Sequence, residues 1–175
     1  MNITAPDLSY IDQLIRNCER AKRTKPVSSF IMSDIEDLKP IKSAIYIISQ
    51  VSGEEPEDIF KKLKKFKEKQ KQKIFQEQIK TPKLNSPSKV MYVGSSTTGL
   101  YKRIKQHIGD GYEGTYALHL KYWFNKEENQ IMKNEYEIMI KEYDETVPRE
   151  VIQLIEDSRS YDLKPAFGKL GGNSK

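Results

Sequence analysis

The chain has 175 residues, 37% of them hydrophobic, which is enough to bury one core but would leave two independent domains small. No apolar run near Met1 is long enough for a secretion signal or a membrane helix, and the single cysteine, Cys18, has no intrachain disulfide partner; a cytoplasmic protein with no membrane partner is expected. The formal charge of +5 is local, because eight lysines against one acid between Lys61 and Lys73 give +7 there and leave −2 for the rest.

From about Pro6 to Lys22, Leu8, Ile11, Leu14, Ile15 and Cys18 share one face and predict an amphipathic helix packed on the main domain, with Cys18 a small core residue. Ala44 to Ser49 (AIYIIS) reads as a buried strand, and Lys89 to Val93 (KVMYV) as a second. Between them an insertion of about residues 53–88 opens with Pro56, Glu57 and Asp58, suited to a first helical turn. A helix from Pro56 to Ile79 is expected, carrying Ile59, Phe60, Leu63, Phe66, Ile74, Phe75 and Ile79 at helical intervals and exposed along its lysine stripe. Lys61, Lys62, Lys64, Lys65, Lys67, Lys69, Lys71 and Lys73 can neutralise a run of phosphates; a solvated helix face is the alternative. Thr81 to Ser88 is a returning loop.

After Gly94 a Ser-Ser-Thr-Thr-Gly turn leads to a short helix with a Leu100, Ile104 and Ile108 stripe, ending at Gly109. Arg103 and His107, four apart, lie on a neighbouring face. Thr115 to Phe124 reads either as a strand, by alternation, or as a helix capped by Thr115. Tyr136, Ile138 and Ile140 alternate as in a strand, and Pro148 opens a last helix with Glu156 well inside it. The fold class is therefore α/β (α+β): a small central antiparallel sheet flanked by helices, with residues 1–43 as an N-terminal helical extension and 44–175 as the main domain.

There is no Walker loop, nucleophile elbow, His/Cys metal cluster or dinucleotide fingerprint. What is present is a dispersed set in a particular order. Ala44-Ile45-Tyr46 ends in a tyrosine on one strand, Tyr92-Val93-Gly94 begins with one on the next, and Arg103 and His107 follow on a helix. Glu156 then stands nine residues before Pro165 in VIQLIEDSRSYDLKPAFGKLGG. This order and spacing resemble the GIY-YIG nuclease superfamily over most of Ala44 to Gly172, most specifically in the block YVGSSTTGLYKRIKQH. Three positions depart from the family pattern. Ala44 replaces a glycine, 45 residues separate Tyr46 from Tyr92 in place of a short connection, and Gly168 stands where an asparagine is usual, with Asn173 nearby at another spacing.

The resemblance implies an endonuclease that hydrolyses DNA phosphodiester bonds with one Mg²⁺ or Mn²⁺ ion per site, held by Glu156, and a catalytic set of Tyr46, Tyr92, Arg103, His107 and Glu156. The chemistry suits these residue types. A guanidinium fork matches a phosphate and stays charged, and a single carboxylate can hold an ion that keeps several waters. The proton acceptor is Tyr46, if nearby positive charge favours its phenolate, or His107, whose ordinary pKa already fits the task. DNA contacts are expected from the lysine stripe together with Lys102 and Lys105, and from Tyr116, His119 and Trp123 if Thr115 to Phe124 is helical; core packing is the alternative for those three. Restriction or phage defence is the expected setting, with a homodimer for double-strand cutting. A structure-specific repair nickase, a catalytically silent DNA-binding module, and a lysine helix serving as a protein-interaction arm are the rivals.

Overall fold

The run AIYIISQ forms a strand, Ala44–Gln50, buried on both faces, as its β-branched composition requires of a central strand. The computed structural model describes residues 9–73, 77–124 and 136–170. In them four strands, β1 (Ser28–Ile31), β2 (Ala44–Gln50), β3 (Val90–Ser96) and β4 (Tyr136–Glu142), form one antiparallel sheet in the order β1-β4-β2-β3. Four helices flank it: α1 (Tyr10–Arg23), α2 (Pro56–Lys71), α3 (Leu100–Ile108) and α4 (Arg149–Leu163).

The two-residue period of β2 divides the core. Ala44, Tyr46 and Ile48 face a larger cluster with Ile59 and Leu63 of α2, Leu100 and Ile104 of α3, and Trp123 and Phe167. Ile45 and Ile47 face Val151, Ile152 and Ile155 of α4. Helices α2 and α3 therefore cover one face and α4 the other. Helix α1 lies on α4, where Cys18, Ala21 and Lys22 share a recess with Leu154, Ile155 and Ser158. No residue of α1 is fully buried, and Ile11 and Ile15 remain exposed, so Cys18 is half-buried where a core position was expected.

Several expectations need correction. Residues 1–43 include β1, which pairs with β4 through Ser28↔Glu142 and Phe30↔Ile140 and belongs to the sheet. A four-residue strand with one exposed face carries too little periodicity to be read from sequence. Helix α2 stops at Lys71, well short of Ile79. Its inward face runs Ile59, Leu63, Phe66 and then reaches Gln70, whose side chain accepts from the Ile79 N–H at 3.2 Å. Thr115 to Phe124 is neither strand nor helix but a series of turns with one short 3-10 segment, Leu120–Tyr122, held by the core contacts of Ala117, Leu118, Trp123 and Phe124. Pro6 to Leu8, Ile74, Phe75 and Asn173 lie outside the described residues.

Docking of α2 rests on its apolar side, since Leu63 is fully buried while Lys64 is exposed. Denaturant unfolding of Leu63→Ala should show a loss of about 2–4 kcal/mol, against less than about 0.5 kcal/mol for Lys64→Ala.

Candidate active site

Pairing of β2 with β3 sets Tyr46 opposite Gly94 and Ile48 opposite Tyr92, so the two tyrosines are diagonal neighbours on one face. Their rings stack at 6.2 Å between centroids. Gly94 makes this arrangement feasible: a Cβ there would collide with the Tyr46 hydroxyl and come within 2.8 Å of Tyr92 Cε1. Helix α3 then lays Arg103 and His107 over the pair, with the His107 ring 5.3 Å from Tyr46 and 4.5 Å from Tyr92.

The hydrogen bonds among these four assign their roles. Arg103 Nε donates to Tyr46 Oη at 3.0 Å, Nη1 to Gln106 at 2.9 Å, and Nη2 to the Tyr116 carbonyl at 3.0 Å and Tyr92 Oη at 3.4 Å. Four of the five guanidinium N–H groups are thus engaged, leaving one on Nη1. His107 is wholly buried. The Leu118 N–H donates to its Nδ1 at 3.2 Å, which puts the ring proton on Nε2, 2.9 Å from Tyr46 Oη. Tyr46 Oη therefore accepts from both Arg103 and His107. Reversing the His107–Tyr46 bond would put a proton on Nδ1 against the Leu118 N–H, so His107 is a donor in this arrangement and has no direct access to solvent.

Burial pushes the Tyr46 and Tyr92 hydroxyls up from the ordinary phenol range, and the Arg103 charge only partly opposes it. Burial, assisted by the Arg103 charge, drives His107 well below its usual value, so the imidazole is neutral.

Glu156 approaches from the other face of the sheet. Strand β3 is an outer strand; the Ala166 and Phe167 N–H groups donate to the Val90 and Met91 carbonyls, while its other end opens onto a cleft of about 350 Å³ between α3 and α4. Ser95, Ser96, Thr97, Thr98, Lys102, Arg103, Gln106, Arg149, Gln153 and Glu156 line it. The Ser95 hydroxyl donates to Glu156 Oε2. Burial pushes the Glu156 carboxyl up, and the Ser95 hydrogen bond works against that shift.

Of the five residues read from the sequence, Arg103 and Glu156 line the cleft, Tyr46 and His107 lie buried behind Arg103, and Tyr92 is half-buried. Ser95, Gln106, Arg149 and Gln153 were not foreseen. Gln106 was open to detection, three residues from Arg103 on the same helix, whereas Arg149 belongs to no motif. Among the described residues no three His, Cys, Asp or Glu side chains converge. A cation here would rest on Glu156 with hydroxyl, water and substrate oxygens, a donor set that fits Mg²⁺ or Mn²⁺ and not zinc.

The expected DNA contacts fall into groups. Lys61 pairs with Asp58 at 3.0 Å, Lys62 pairs with Glu54, and Lys67 donates to the Pro82 carbonyl at 2.7 Å. Lys64, Lys65, Lys69 and Lys71 are exposed and form no ion pair among the described residues, and Lys73 follows the helix end, half-buried. Lys102 lines the cleft, and Lys105 lies 5.5 Å over the Tyr101 ring. His119 and Trp123 are core residues, while Tyr116 is exposed.

Comparison of the chain with protein-family models, with curated proteins and with solved structures yields no match.

A buried neutral histidine makes stability depend on pH. The unfolded chain binds a proton at His107 as pH falls through about 6.5 and the folded chain does not, so stability is present above that value and falls below it. His119, also lowered by burial, acts in the same direction. Thermal melts between about pH 7 and pH 5 should show a decline that is shallower in His107→Gln, whose amide can still accept from Leu118 and donate to Tyr46.

Proposed function

We propose that the protein is a divalent-metal-dependent endonuclease of the GIY-YIG type that hydrolyses DNA phosphodiester bonds. The observation that carries the reading is Arg103, held by Tyr46, Tyr92, Gln106 and Tyr116 at the wall of a cleft in which Glu156 is the lone acidic lining residue among the described residues. Lys102, Arg103 and Arg149 outnumber that carboxylate, so the cleft suits a polyanion.

Phosphodiester hydrolysis builds negative charge on the phosphoryl oxygens and on the departing sugar oxygen. Arg103 keeps its charge at any working pH and is already oriented, so that charge and its one free Nη1 N–H can serve the phosphoryl oxygens. Glu156 would hold the metal ion, whose chemistry is to stabilise the leaving oxygen. Tyr46 anchors Arg103 as a hydrogen-bond acceptor, and burial keeps its phenol protonated. His107 fixes Tyr46 as an acceptor. Tyr92, the more exposed of the two phenols, orients the attacking water.

The test is incubation of plasmid DNA with Mg²⁺ or Mn²⁺. The native chain should nick or linearise it, and Glu156→Ala and Arg103→Lys should each lose about 100-fold or more in rate. Equal cutting by native and Glu156→Ala proteins removes the catalytic reading. The burial of Tyr46 and the protonated state of both phenols favour one rival, a DNA-binding module without cleavage. DNA binding in the absence of any cutting would select it.

The four lysines with no ion pair among the described residues supply the sequence-independent part of binding. Replacing Lys64, Lys65, Lys69 and Lys71 by glutamine should reduce the slope of log affinity against log salt by about 3.6 if each meets one phosphate. An unchanged slope would assign the stripe to solvation or to a protein partner.

A further inference from the structure

The loop that returns the chain from α2 to β3 is bound to the segment after α4 by more than its connecting task demands. The Asn85 N–H donates to the Ala166 carbonyl at 2.9 Å, the Gly168 N–H donates to the Lys83 carbonyl at 2.8 Å, and Leu84 bridges Phe167. The Asn85 side chain adds two bonds, from Nδ2 to the Pro165 carbonyl at 2.9 Å and to the Gly168 carbonyl at 3.1 Å. Both amide hydrogens are therefore spent on one turn of backbone.

That turn touches Tyr92. Gly168 has φ +102°, and a Cβ on it would lie 2.9 Å from Tyr92 Cε2. The opposite ring edge, Cε1, lies against Gly94, and the His107 ring packs at 4.5 Å. The Tyr92 ring is thus held between two glycine backbones. One belongs to its own strand and is fixed by the sheet; the other belongs to the segment after α4 and is held by Asn85.

We propose that Asn85 is a positioning residue for Tyr92, acting through the Gly168 backbone, so that the return segment of the lysine-rich insertion is part of the scaffold of the reacting centre. The kinetic part of this inference rests on the nuclease reading; the structural part does not. Asn85→Ala removes both donors, and Asn85→Asp removes them while keeping the shape and setting carboxylate oxygens against two carbonyls.

The test uses the full chain labelled with ¹³C at the tyrosine ζ carbon, with Tyr92→Phe assigning the resonance. Asn85→Ala and Asn85→Asp should shift the Tyr92 resonance and lower kcat on duplex DNA about 10-fold, with KM kept within about two-fold, the pattern of a misplaced reacting group. Met139→Ala loosens the other cluster by deleting a side chain remote from Tyr92, and should leave the resonance in place. If Asn85→Ala does not fold, Gly168→Ala presses on the same ring edge and should move the same resonance. A Tyr92 signal unmoved in the folded Asn85 variants or in Gly168→Ala, or one moved equally by Met139→Ala, overturns the proposal. A moved signal in a chain that cuts no form of DNA upholds the positioning role and removes the nuclease reading instead.

Discussion

The hydroxyl of Tyr46 is buried in the larger cluster with no exposed surface, so its oxygen must find protein partners or lose the hydrogen bonds that water would have supplied. It finds two N–H donors, Arg103 and His107, one helical turn apart on α3. Much else follows from that requirement. Position 94 must be glycine for the ring to fit, α3 must lie at one height over the sheet, and His107 must keep its proton on Nε2. The last condition needs the Leu118 N–H, so the irregular chain after α3 must itself be fixed, and Ala117, Leu118, Leu120 and Trp123 are buried accordingly.

Charge in this protein is divided by purpose. Most of the lysine stripe is exposed on α2, and part of it is neutralised locally by Asp58 and Glu54. Exposed pairs of that kind contribute little to stability, so the stripe is not what holds the helix; Ile59 and Leu63 do. Arg103 is different. It is half-buried, uses four N–H groups within the protein, and sits where the two faces of the sheet meet at the end of β3. A guanidinium on a flexible surface side chain keeps its conformational freedom, whereas here its ordering has been completed in folding.

The insertion between β2 and β3 is not an appendage. Beyond α2, Lys80 donates to the Glu113 carbonyl and accepts from Ala117, while residues 83–85 zip to 166–168. It therefore braces both the loop that supports His107 and the segment that confines Tyr92. Removing it would withdraw support from two sides of the site.

Sequence alone determined what is periodic or local. The alternation of AIYIIS, the Leu100, Ile104, Ile108 stripe with Gly109 behind it, and the proline before α4 were legible, because residue spacing follows directly from helix and strand geometry, whereas Tyr46, Tyr92, Arg103, His107 and Glu156 were marked out only by a family resemblance. It was silent where an element owes its form to distant partners. β1 is a strand because β4 lies beside it, Gln70 at the end of α2 bonds to Ile79 nine residues on, and the turns of 115–124 persist because their side chains fill the core. The tautomer of His107 and the placing of Glu156 beside Ser95 are likewise tertiary facts. A hydrogen bond between groups 61 residues apart is set by how the chain packs, and no local pattern encodes it.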